Sequence, residues 1–218
     1  MKRLLATLVL ALGLMAPSIS SAAQGMYLAP KFLMTVQNTG TVERSGALAG
    51  FGVDNHSQFT LGGGIAAGYD FWPSHMIPVR AEIELAFRGN NESSEDGQFG
   101  STKLTTNSTT LLANFYYDFH NSSSFTPYVG AGLGLAFNYL GVDMHSKDGV
   151  YNGSADERQT RFAWQVGAGV AYNINENMAI DAGYRYLDLG YTEVKQGGCN
   201  IGIRPYNHEV MLGLRFGF

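Results

Sequence analysis

Arg80, Glu82, Glu84 and Arg88 share one parity of the run 77–88, whereas Ile77, Val79, Ala81, Ile83, Leu85 and Phe87 fill the other. A β-strand sends alternate side chains to opposite faces, so this segment has one apolar face and one ionised face. The same polar parity in other alternating segments carries Lys31, Asp70, Asp118, Asp181, Arg185, Glu209 and Arg215. The set holds five cations and six anions, and the chemistry open to such a set is mutual charge-assisted pairing in an enclosed space.

Groupings that could do covalent or metal chemistry are weaker. Gly62, Gly64 and Gly68, Gly130, Gly132 and Gly134, and Gly167, Gly169 and Gly183 keep to one strand face. They lack the spacing and the following helix of a dinucleotide site. His145, Ser146 and Asp148 lie in a polar stretch where nothing fixes a nucleophile, a base and an orienting acid together. A His and a Ser two apart on a lipid-facing strand side would suit acyl-ester hydrolysis, but His208 has Tyr206 and Val210 at that spacing. Asp143, Asp148, Asp156 and Glu157 miss the spacing of a calcium loop. A single Cys, Cys199, excludes an internal disulfide and a multi-thiolate metal site. The sequence therefore reads as a non-enzyme with no cofactor and no bound metal.

Strands must position the charges. Alternating segments occur near 25–36, 58–71, 77–88, 108–119, 125–139, 160–173, 178–188 and 206–218. Soluble strands average about 5–6 residues and a tilted membrane-crossing strand needs about 9–11; most of these segments reach the second length. Connections 72–76, 120–124 and 174–177 are short, while 37–57, 89–107, 140–159 and 189–205 are long and polar. Strict alternation of short and long connections is the pattern of a membrane barrel with short turns on one side and long loops on the other. The expected fold is all-β: an eight-stranded antiparallel transmembrane up-and-down β-barrel. Its apolar parity faces lipid and its charged parity faces the lumen. Pro30 cannot donate to a ladder, and a bulge is expected there.

Composition agrees. Charged residues are 15% of the 218, and Gly (28), Tyr (12) and Phe (13) are abundant. A net charge of −4 excludes a dedicated nucleic-acid binder. Lys2 and Arg3, the apolar stretch 4–16 and the small residues 20–23 read as a cleaved secretory signal over residues 1–22, with the barrel domain over 23–218.

Val210, Leu212, Leu214, Phe216 and Phe218 alternate with Met211, Gly213, Arg215 and Gly217 to the end of the chain. That terminal strand resembles the one read by the bacterial outer-membrane assembly machinery, which would make Phe216 and Phe218 its signal. The stretches 127–134 (PYVGAGLG), 162–170 (FAWQVGAGV) and 182–187 (AGYRYL), with Arg80-Ala81-Glu82 and the run 114–119, resemble the small eight-stranded outer-membrane barrels. The likeness is to the opacity-type and porin-like surface antigens of Gram-negative bacteria. The resemblance implies residence in the outer membrane among its lipid and lipopolysaccharide. It further implies four external loops for adhesion, envelope integrity or a host or surface ligand. The alternative is a narrow porin-like channel for ions or small solutes.

Overall fold

The computed structural model describes residues 24–38, 42–45, 57–96, 100–146, 152–196 and 199–218. The signal-sequence reading, residues 1–22, lies outside them. Among the described residues twelve strands form: β1 (Met26–Asn38), β2 (Val42–Ser45), β3 (Ser57–Asp70), β4 (Val79–Arg88), β5 (Asn91–Asp96), β6 (Gly100–Asp118), β7 (Phe125–Ser146), β8 (Asn152–Asn175), β9 (Met178–Asp188), β10 (Thr192–Gln196), β11 (Cys199–Ile203) and β12 (Tyr206–Gly217). One helical turn, α1 (Trp72–His75), links β3 to β4. It is no membrane-crossing helix, and none of the described helices is long and apolar enough to be one.

Eight of the strands, β1, β3, β4, β6, β7, β8, β9 and β12, are each antiparallel to both neighbours. β1 pairs with β12, and β4 pairs with β6, so the sheet closes. Followed once around, the register runs from Tyr27 through Gly68, Glu82, Asn114, Gly132, Gln165, Leu187 and Asn207 to Gln37. The return is displaced ten residues along β1, from position 27 to 37. Such a stagger is what tilts strands in a closed barrel, and eight strands leave an interior that side chains can fill.

Burial alternates along the eight barrel strands, over the residues described there, with the parity expected from the sequence. In β4, Arg80, Glu82, Glu84, Ala86 and Arg88 are buried and Ile83 and Phe87 exposed. Outward apolar residues from the other strands, among them Phe32, Ile65, Leu111, Phe115, Leu133, Val166 and Leu212, make a continuous band. Exposed aromatics rim its turn end: Tyr117, Phe119, Phe125 and Tyr172, with Tyr117 packed on Phe119 and Phe125 on Tyr172. At that end Asp70 accepts the Trp72 amide N–H at 2.9 Å, and Met76 closes α1 in the left-handed region. The Trp72 ring stacks on His120, centroids 4.0 Å apart, which ties two turns together.

Two expectations need correction. Pro30 forms no bulge: the β1–β3 register is unbroken through it, and on the β12 side the recorded pairs simply skip Ala29 and Pro30 and resume in step. The ladder gives up one donor locally without inserting a residue. A register shift lies instead at Asn173/Asn175, beside the β8–β9 turn.

The long connections are also more ordered than a loop reading implies. β6 and β7 stay paired out to Gly100–Ser146, and β7 and β8 to His145–Asn152. β5 pairs along β6, and β10, β11 and β2 form a small separate sheet. Periodicity failed here because a two-sided ladder in water needs no apolar parity. The signal present was β-branched content, with Thr102, Thr105, Thr106, Thr109 and Thr110 in β6.

Candidate functional site

The lumen is built from inward residues of all eight barrel strands. Arg185, on β9, sits at its centre, fully buried. Its Nη1 donates to Glu84 Oε1 at 2.6 Å and its Nε to Glu209 Oε2 at 2.7 Å. Arg88 donates to the same Glu209 through Nε (2.5 Å) and Nη2 (3.1 Å). Lys31 Nζ bridges Glu82 (2.5 Å) and Glu84 (2.7 Å). Three cations and three carboxylates are thus joined into one electrically balanced group.

Two further pairs stand apart. Arg80 grips Asp118 with Nε and Nη2, at 2.6 and 2.9 Å. Its guanidinium lies 5.0 Å from the Tyr116 ring centre and 5.1 Å from that of Tyr128. Arg215 approaches Asp181 at 3.7 Å and lies over the Tyr27 ring. Asp70 does not join any of these. It is spent on the turn at α1, although its register partner is Arg80.

Neutral partners that the charges alone do not reveal extend the network. Tyr27, Tyr116 and Asn114 donate to Glu82, and Thr35 and Asn207 donate to Glu209. Arg88 reaches Thr110, and Gln165 donates to Asn114. Each shares the parity of the nearby charges, which is the signal that could have found them. Apolar side chains occupy the same face: Leu33 with Ala86 and Met211, and Leu112 with Leu187 and Leu189.

The inward glycines are where tyrosines lie down. A Cβ on Gly68 would come within 2.5 Å of the Tyr27 hydroxyl, and one on Gly169 within 2.5 Å of the Tyr128 hydroxyl. A cavity of about 20 Å³ remains between Lys31, Arg80, Glu82, Tyr116, Tyr128 and Asp181, room for about one water.

Other candidates fall differently. His208 faces outward, its Nδ1 2.5 Å from the Tyr184 hydroxyl. The side chains of His145, Ser146, Asp143, Asp156, Glu157 and Cys199, and the whole of Asp148, lie outside the described residues. Among the described residues no three His, Cys, Asp or Glu side chains are grouped to hold a metal. Phe216 and Phe218 end the barrel; the Phe218 amide N–H donates to the Met26 carbonyl at 2.9 Å and so closes β12 onto β1.

Comparison with known proteins matches residues 4–216 to the outer membrane protein beta-barrel domain. The chain is 30% identical to outer membrane protein PagN of Salmonella typhimurium over the full length of both. It is 24% identical to opacity protein opA67 of Neisseria gonorrhoeae, over 71% of this chain and 76% of that one. The solved structure of Neisserial surface protein A superposes with a TM-score of 0.54 at 24% identity, covering 89% of this chain and 97% of that one.

Proposed function

Because the chain belongs to the outer membrane protein beta-barrel family and resides in the bacterial outer membrane, we propose that it is a closed anchor for surface interaction. It holds strand extensions outside the cell for adhesion or envelope integrity and passes no solute. The observation that carries this reading is the lumen. Arg185, Glu84 and Glu209 meet at its centre with Leu33, Leu112 and Leu187 packed on the same inward face. Opposite charges packed so closely fill space, whereas a conducting bore needs a continuous water column.

The experiment has two arms. Purified barrel in planar bilayers gives no stable open level; a steady conductance would favour the narrow channel for ions or small solutes. Bacteria displaying the chain attach to cultured host-cell monolayers, and trimming the β5–β6–β7 and β10–β11 extensions back to the apolar band lowers attachment severalfold at equal inserted amount. Equal attachment by the trimmed form removes the surface-interaction reading.

Assembly is part of the same proposal. The terminal strand, ending in Phe216 and Phe218, is the segment taken up by the assembly machinery. Deleting Phe218 should lower the inserted amount in cells severalfold, yet leave refolding of the purified chain into detergent unchanged. A parallel loss in both would instead mark Phe218 as a packing residue.

A further inference from the structure

Three rows of outward residues climb the β6–β7–β8 face away from the turns. Leu111, Leu135 and Phe162 stand in register, then Thr109, Phe137 and Thr160, then Asn107, Tyr139 and Arg158. Apolar contact thus gives way to hydroxyls and then to a cation within two alternate positions. That gradient places the third row where acyl chains meet headgroups, since a membrane barrel's apolar band is bounded at that level.

At these upper rows the surface is hollowed into a cleft of about 540 Å³, lined by Asn107, Thr109, Phe137, Tyr139, Arg158 and Thr160 among others. The Arg158 guanidinium lies 5.7 Å from the centre of the Tyr139 ring, and the side chain is exposed. Among the described residues no carboxylate pairs with it. Arg204, another exposed arginine above the band, pairs instead with Asp188 at 3.1 Å. An aromatic face holds a guanidinium in place without neutralising it, and a held guanidinium fork matches phosphate oxygens.

We propose that this cleft binds the phosphorylated headgroup of an outer-leaflet lipid. Arg158 takes the phosphate, Thr109 and Thr160 offer hydroxyls to the headgroup, and acyl chains descend over Phe137, Leu135 and Phe162. Charge complementarity selects an anion, and the apolar rows directly below select one that carries acyl chains.

The purified barrel in detergent is titrated with bis-phosphorylated lipid A. Arg158→Gln is expected to weaken binding about tenfold, the loss of one charge-assisted contact. Arg204→Gln should bind as the unaltered protein does, and lipid A stripped of phosphate should bind it about as weakly as the intact lipid binds Arg158→Gln. Excess inorganic phosphate should not displace the lipid. Equal weakening by Arg204→Gln would reveal unspecific charge attraction and overturn the site. Displacement by inorganic phosphate would make it a free-anion site, and unchanged affinity in Arg158→Gln would remove it altogether.

Discussion

Arg185→Met lowers the stability of the folded barrel by about 3–5 kcal/mol, the cost of removing one partner from a buried ion pair. The methionine fills much of the vacated space, so cavity formation adds little. What remains is electrostatic. Arg185, Arg88 and Lys31 balance Glu82, Glu84 and Glu209. Without Arg185 the group carries one uncompensated negative charge behind a wall of strands. Arg88 still reaches Glu209 and Lys31 still reaches Glu84, which sets the loss nearer the lower bound. Adding Glu84→Gln to Arg185→Met restores neutrality and should recover about 1 kcal/mol or more, because an amide at that position can still accept from Lys31. Urea unfolding of the barrel in phospholipid vesicles measures both. An unchanged midpoint for Arg185→Met, or a double variant no more stable than the single, would show that charge balance does not hold the lumen together.

The strands were legible because membrane barrels force a period of two on whatever crosses the bilayer. Ile83 cannot trade faces with Glu84 at tolerable cost, so β4 wrote its orientation plainly in the sequence. The run Phe32-Leu33-Met34 is apolar throughout, and its orientation is legible only through Lys31, two positions before Leu33 on the inward parity; the register sets Leu33 opposite Gly62 and Met211. The charged lumen residues could be named one by one, but not who meets whom. Asp70 and Arg80 are register partners, yet Arg80 takes Asp118 and Asp70 takes a backbone amide. Pairing across a barrel depends on stagger, and stagger is a closure property that no single strand encodes. Asn114, Gln165 and Tyr116 were hidden for another reason. A neutral polar residue is at home in water or in a lumen, and only the neighbouring carboxylate decides its role.

Ile83→Arg is the substitution most sensitive to what surrounds the barrel. Ile83 is the middle of the outward set Val79, Ala81, Ile83, Leu85 and Phe87, and it is 56% exposed. In water, an exposed isoleucine changed to arginine on a strand face shifts stability by about 0.5 kcal/mol or less. In a bilayer the guanidinium would sit near the midplane, where arginine on the lipid face costs about 2–4 kcal/mol. Phe87→Arg, at the end of the same set, should cost only about 0–1 kcal/mol, because the charge can reach the headgroups. Urea unfolding in vesicles reads the difference between the two, and equal small costs would mean that no apolar slab surrounds β4. The same gradient also fixes the register. A one-residue slip of β4 would carry Arg80 and Arg88 outward and deliver Ile83 to Lys31 and Arg185. The lipid penalty and the lost lumen pairs then oppose the one-residue slip from both faces at once, so the ten residues of β4 settle which face looks inward, while its pairing with β3 and β6 sets the alignment along the strand.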